Sequence, residues 1–302
     1  MKRFDINKIK RKLTSRRTWV GFLKNILFWI VVLIIALTVG ISLRVFLLLS
    51  VTIPSSSMYP TLHPGDYVLV NKMIPGPRVF KDWSTWNVTN LTRLRGYRKV
   101  KRNDVLVFHF PYSTSDKIAL DFNTFYAKRC VAVPRDTFYI ENGFYKVKNL
   151  PDTIGYYPNQ KKVSLRPTGS FDEGVFRCFP YHPAYNWNVK DFGTLYVPGR
   201  GDTVMIDTIR VAPYIKLIEY ETGKQITMHD GAVYIDTVAI DKYVFEKNYY
   251  FMAGDYAEDS RDSRYWGLLP EDFIVGKAFF IWRAKDRNTG KWLWQRFFKT
   301  VK

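Results

Sequence analysis

The sequence is poor in cysteine and histidine, with two of the first and four of the second among 302 residues. Cys130 and Cys178 alone exclude a disulfide-stapled scaffold and a four-cysteine zinc site; one bridge or none stays open. His63, His109, His182 and His229 lack ligand spacing and there is no His-Glu-x-x-His, so neither a metal nor a cofactor is expected. Nor is there a Gly-x-Ser-x-Gly elbow, which sets aside the common α/β arrangement of a nucleophilic serine. Beyond residue 45 helical periodicity is scarce, Val211–Tyr220 being the one short candidate, and no repeat recurs at a fixed period. Acidic residues are also few, 27 against 46 Lys plus Arg, for a formal charge of +19. Hydrophobic residues make up 47% and aromatics 17%, so material for a core is ample and disorder is excluded as the main state.

A charge this high points to nucleic acid or to an anionic membrane surface, and its distribution decides between them. Residues 1–24 hold nine basic residues and one acid, Asp5. The rest of the chain has no concentrated Lys/Arg run, so nucleic acid is not an expected partner and a lipid bilayer is. Directly after the basic block, Asn25–Leu43 is uncharged over 19 residues. As a helix it would span ~28 Å, close to the ~30 Å of a hydrocarbon layer. A buried core helix would carry a polar stripe, which this stretch lacks. A cleavable leader would have a shorter apolar run ending in small residues, whereas Arg44, Phe46 and Leu47 follow at once here. Residues 1–18 therefore read as a basic cytoplasmic segment, 19–45 as a transmembrane anchor and 46–302 as an extracytoplasmic domain, because cationic flanks resist translocation.

After the anchor, short β-branched and aromatic runs alternate with Gly, Pro, Asn and Asp. The expected strands are Asp66–Asn71, Asp104–Phe110, Phe125–Val133, Phe138–Ile140, Leu195–Val197, Thr203–Ile206, Ala232–Ile240, Tyr249–Met252 and Ile274–Trp282. The fold class is mainly β: an antiparallel β ectodomain preceded by one N-terminal transmembrane helix. Residues 76–100 read as a surface excursion, and residues from about 141 to 200 as an inserted second lobe.

Three segments carry the chemistry. Pro54-Ser-Ser-Ser-Met-Tyr-Pro-Thr-Leu62 with Gly65-Asp66 lies just past the anchor. In Tyr126-Ala-Lys-Arg129, strand alternation puts Tyr126, Lys128 and Cys130 on one face and Arg129 on the other. Lys128 is then either carried inward, at a cost, or snorkels outward. The third segment is Gly254-Asp-Tyr-Ala-Glu-Asp-Ser-Arg-Asp-Ser-Arg-Tyr-Trp-Gly267. Together, in order and spacing and behind a membrane span, they resemble the bacterial type I signal peptidases (leader peptidases), membrane serine proteases with a Ser/Lys dyad.

The resemblance implies that Ser57 is the nucleophile and Lys128 its general base. It implies that Ser55 donates to the oxyanion, that Ser260 orients the lysine, and that Asp262, Arg264 and Arg129 support the site. Ile53, Pro54, Met58, Leu62, Tyr126 and Ala127 match the substrate pocket. The implied function is removal of N-terminal signal peptides from translocated preproteins, by a protein of the bacterial cytoplasmic (inner) membrane with its catalytic domain on the outer, periplasmic side. A catalytically silent binding protein on the same scaffold is the alternative, disfavoured by the retention of Ser55, Ser57, Lys128 and Ser260. The chain departs from the family pattern at Tyr256, Ala257 and Asp259, and at Arg135, where glycine is usual. The C-terminal Lys291–Lys299 run reads either as a membrane-resting edge strand or as core packing.

Overall fold

The computed structural model describes residues 6–80, 91–112, 115–151, 153–287 and 289–302, so the middle of the 76–100 excursion lies outside the described residues. The chain divides into two compact units, Met1–Leu47 and Leu48–Lys302. The first is one helix, α1 (Ile6–Ser42), closed by a wider turn over Leu43–Leu47. Within it, Trp19–Ser42 is long and apolar enough to cross a membrane.

The second unit begins with β1 (Leu48–Thr52), β2 (Asp66–Asn71), β3 (Arg78–Phe80), β4 (Leu91–Arg93), β5 (Val105–His109) and β6 (Phe125–Ala132). Next come β7 (Thr137–Glu141), β8 (Phe144–Val147), α2 (Tyr157–Leu165), α3 (Glu173–Phe176), β9 (Phe192–Tyr196), β10 (Thr203–Met205) and α4 (Ile215–Thr222). The hairpin strands β11 (Ile226–His229), β12 (Ala232–Ile235) and β13 (Val238–Ile240) follow, then β14 (Lys242–Val244), which pairs with β10. The chain ends with β15 (Tyr249–Ala253), α5 (Ser263–Trp266), β16 (Leu269–Pro270), β17 (Ile274–Ala284) and β18 (Lys299–Thr300).

One antiparallel sheet of eight strands organises the unit, in the order β1-β2-β17-β5-β6-β15-β16, with β18 added to β17. Alternation sorts its side chains. Val105 and Val107 of β5 join Val68, Val70 and Ile281 on one face, whereas Leu106 and Phe108 meet Cys130, Met252 and Trp266 on the other. Both faces of β5 are covered, which fits the continuous apolar run Val105–Phe108.

The polypeptide between β6 and β15 builds the second lobe. Its sheet, in the order β8-β7-β9, closes over a core that includes Phe138, Val163, Phe192 and Leu217. The lobe seats on the central sheet where Phe138 stacks on Phe251 at 4.2 Å. Outside the central sheet, this material continues past residue 200 as far as β14. Two elements differ from the sequence reading. The run 232–240 is a hairpin and not one strand, because Asp236 takes a left-handed turn at φ +59°. Helix α4 starts four residues after Val211 and stops at Gly223, whose φ of +68° suits a residue without a Cβ. Cys130 and Cys178 are both buried and unbridged.

Candidate active site

The loop from β1 to β2 carries the serines, and its shape is fixed from below. Met58 and Leu62 are buried, and the amide of Leu62 donates to the Met58 carbonyl, making a tight turn anchored in the core. The loop closes on itself where Ile53 N–H meets Asp66 O and Gly65 N–H meets Ile53 O, each at 2.9 Å. Gly65 has φ +92°, and a Cβ there would fall 1.9 Å from the Lys285 carbonyl, so no other residue fits. The buried Asp66 carboxylate accepts the His63 amide and two guanidinium donors of Arg296. Ser57 thus projects from a rigid corner, itself only 9% exposed.

Lys128 sits opposite, on β6. Of the two readings of its face, the inward one holds: the side chain is 4% exposed and its Nζ donates to Ser57 Oγ, joining residues 71 apart in sequence. Burial pushes the ammonium pKa down to about 8. Asp262 opposes that shift, Arg264 assists it, and Asp255 and Asp259 oppose it more weakly. The ring of Tyr126 lies 5.6 Å from the nitrogen. Ser55 Oγ is 3.2 Å from Ser57 Oγ, on the open side of the pair.

Arg129 leaves the same strand on the opposite face and is also buried. It makes no bond with the Asp262–Arg264 pair. Its guanidinium instead grips Asp255 through two bonds of 2.7 and 2.6 Å and donates to Asn103 O. Asp255 O in turn accepts from the buried amide of Asn159 on α2. These partners tie β6 to the 254–267 segment and, through Asn159 and Tyr59 O, to the serine loop.

The 254–267 segment lies against both catalytic candidates. Gly254 is wedged in place, since a Cβ there would lie 2.0 Å from Ser260 Oγ and 2.5 Å from the Ser57 carbonyl. Asp262 and Arg264 form a fully buried pair at 2.8 Å, and Asp262 also accepts the amides of Gly254 and Arg264. Burial works against the Asp262 charge, yet Arg264 prevails and holds the carboxyl below its usual range. The Ser260 hydroxyl is buried beside this pair and has no hydrogen-bond partner, so the bond to Lys128 that the resemblance implies is not made here. Tyr256 contributes its amide to Ser57 O, and Ala257 its carbonyl to Arg264. At these two of the four departures from the family pattern, the bonds to the site come from backbone atoms that any residue but proline supplies. At Arg135 the backbone has φ +76°, the conformation that makes glycine usual there.

A cleft of about 320 Å³ opens over the pair, walled by Ile53, Pro54, Met58, Phe125, Tyr126 and Ala127. Leu62 does not reach it, being fully buried beneath Met58 in the core. Sequence reasoning gave no role to Asp255, Asn159 or Gly254, nor to Phe125, Asp259 and Arg261 at the cleft. Asp255 and Gly254 lie inside the Gly254–Gly267 motif; Asn159, in the inserted lobe, has no sequence signal. Among the described residues no three or more His, Cys, Asp or Glu side chains gather as a metal ion would need.

A β domain that sets one serine hydroxyl against a buried lysine amine, behind an apolar N-terminal helix, is a membrane-anchored serine hydrolase. The sequence model of the family described as "Signal peptidase, peptidase S26" matches residues 26–164 and 241–283, and the chain belongs to that family. It is 28% identical over 255 residues to the Signal peptidase I of Buchnera aphidicola subsp. Acyrthosiphon pisum, covering 83% of this chain and 73% of that protein. Its likeness to the Signal peptidase I of Pseudomonas aeruginosa is 29% over 252 residues, covering 80% and 67%. With the enzyme of the same name from Aquifex aeolicus it is 25% over 253 residues, covering 84% and 82%. The chain is accordingly a membrane-anchored serine endopeptidase, with one helix among the described residues long and apolar enough to span the bilayer.

Proposed function

We propose that this protein removes signal peptides from preproteins with Ser57 as nucleophile and Lys128 as general base. The contact between the buried Lys128 amine and the Ser57 hydroxyl carries the reading. A serine hydroxyl attacks a carbonyl only when a base takes its proton. With a pKa near 8, a substantial fraction of Lys128 is neutral at mildly basic pH and able to do so. Keeping it in that state costs about 3 kcal/mol relative to a solvated lysine.

Ser57 Oγ adds to the scissile carbonyl as Lys128 accepts its proton. The oxyanion then meets the Ser57 amide and the Ser55 hydroxyl, donors fixed before reaction and typically worth ~3 kcal/mol each. Protonated Lys128 returns the proton to the leaving amine, and a water repeats the cycle on the acyl-enzyme. Asp262–Arg264 and Arg129–Asp255 act at one remove by holding β6 and the 254–267 segment around Lys128. The buried, unpartnered hydroxyl of Ser260 is available to orient the neutral Lys128 amine before it takes the proton. The substrate is read as an added strand between Ile53–Ser55 and Tyr126–Lys128, its small side chains in the apolar cleft.

In the membrane, the basic residues 1–18 stay cytoplasmic, 19–45 cross, and 46–302 work on the outer face of the inner membrane. Ser57 is then only 14 residues past Leu43, where cleavage sites of translocated chains emerge. The C-terminal run supports contact with lipid more than core packing: Trp294 and Phe298 are each 71% exposed. The test is processing of a full preprotein by the protein reconstituted in lipid vesicles. N-terminal sequencing of the product should show a cut directly after an Ala-x-Ala sequence. An uncut preprotein, with the chain folded and correctly inserted, would support the silent scaffold instead.

A further inference from the structure

Past Tyr126 and Ser260 the catalytic cleft runs into a second, larger groove of about 900 Å³. Tyr126, Asp259 and Arg261 border both, so the two are continuous. On one side the groove is aromatic: Phe110 stacks on Tyr126 at 4.5 Å and meets Trp266 edge-on at 6.0 Å. The facing wall is Val175, Phe179 and Tyr181 on one stretch and Ala212, Ile215 and Leu217 on another. All six come from the part of the inserted lobe that lies between the two family-matched segments.

This wall is built against the catalytic segment. Phe179 N–H donates to Arg264 O at 2.8 Å, and Tyr265 OH donates to Val175 O at 2.8 Å. The Phe179 ring packs where Gly267, at φ +88°, has no side chain; a Cβ there would lie 2.9 Å from the ring. Lys216 pairs with Asp116 and Arg166 with Glu258, while Asp259, Ser260 and Arg261 give the groove a polar edge next to the catalytic cleft and its two walls are apolar and aromatic.

We propose that this groove binds the polypeptide on the leaving side of the scissile bond, the first residues of the released product, and favours an apolar or aromatic side chain there. The inference rests on the peptidase reading of Ser57 and Lys128. Direction follows from the chemistry. The acyl half must lie where the oxyanion donors are, in the cleft lined by Ser55, Ser57, Met58 and Ala127. The amine leaves toward the group that protonates it, Lys128, and beyond Lys128 on the Ser260 side lies the groove. A space of this size takes several extended residues, not one side chain. The inserted lobe is thereby a determinant of which product N-termini are handled well.

Two experiments on the full-length chain in detergent test it. In the first, Ser57→Ala protein binds peptides carrying a benzophenone amino acid at the second, third or fourth position after Ala-x-Ala. Illumination should cross-link them to residues 174–181 or 212–217; cross-links confined to other surfaces overturn the proposal. In the second, kcat/KM is compared for a substrate ending one residue past the cut and one extended by four residues that include Phe. The long substrate should be favoured by at least about tenfold. Gly174→Trp, whose Cβ meets open space, and Ala212→Trp should each bring that ratio toward one. An unchanged ratio overturns the proposal, even where both rates fall together. A wild-type protein that cuts neither peptide nor preprotein would strike the peptidase reading itself, while the cross-links still report on the groove.

Discussion

Lys128 and Arg129 are chain neighbours on one strand, both buried, and they face opposite sides of the sheet toward opposite tasks. Arg129 is paired with the Asp255 carboxylate at 2.6 Å, whereas Lys128 has its hydrogen bond with the uncharged hydroxyl of Ser57. Strand alternation produces the difference. One cation is tied to a carboxylate, and the other is left poised to lose its proton.

A lysine kept in this way destabilises the fold it serves. Its pKa is about 8 when folded against 10.5 as a free side chain. Between these values the unfolded chain binds a proton that the folded one does not, so stability rises with pH across that window. Below pH 8 both states are charged and the folded state carries the whole burial cost. Lys128→Met should therefore raise Tm at pH 7, by roughly 5 °C, and the advantage should shrink as pH approaches 10. Thermal unfolding in detergent at both pH values checks this; a lower Tm for the variant at pH 7 contradicts it.

Gly254 is where the serine loop and the 254–267 segment touch most closely. Gly254→Ala should displace either the Ser57 carbonyl or Ser260, with a loss of about 1–3 kcal/mol. A shift of ~1 Å there should also cost about a hundredfold in kcat. Paired melting and rate measurements decide, and a variant with wild-type kcat contradicts the packing described.

Asp262→Asn leaves Arg264 buried without its counter-charge, for which about 3–5 kcal/mol is the usual cost. The wild-type carboxyl sits below its ordinary range. Its contribution is therefore present above pH ~4 and is lost as the pH falls through the lowered value. Acid titration of unfolding should show the variant weaker at pH 6, with the gap narrowing at low pH. Equal stability at pH 6 would remove the pair from the account.

The exposed Trp294 and Phe298 are expected to rest on lipid. Changing both to Ser should slow processing of a preprotein in vesicles several-fold while leaving cleavage of a soluble peptide in detergent unaltered. Equal effects in both assays would assign the residues to packing.

Much of this was legible in the sequence because the signals were local. The apolar run, the strand content of β2, β5, β6, β15 and β17, and the three chemical segments needed no knowledge of tertiary contacts. The burial of Lys128 could be argued from Tyr126 and Cys130 on its face, but not decided, since a lysine stem also snorkels. What stayed hidden depends on distant partners. The resemblance groups Arg129 with Asp262 and Arg264, yet Asp255 captures it, because strand pairing sets β6 beside β15 and the turn that follows. Asn159 and the groove wall sit in a lobe without a motif. By resemblance Leu62 is a pocket position, but the tight turn from Met58 to Leu62 places it in the core.

The most direct test of the central claim is the pH profile of cleavage of an Ala-x-Ala peptide between pH 6 and 10. It should be run for the wild-type chain beside Ser57→Ala and Lys128→Ala. The account predicts a cut after the second alanine, a wild-type rate that climbs through about pH 8, and no activity in either variant. A Lys128→Ala protein that still cuts, or a wild-type rate flat across that range, would show that Lys128 is not the base.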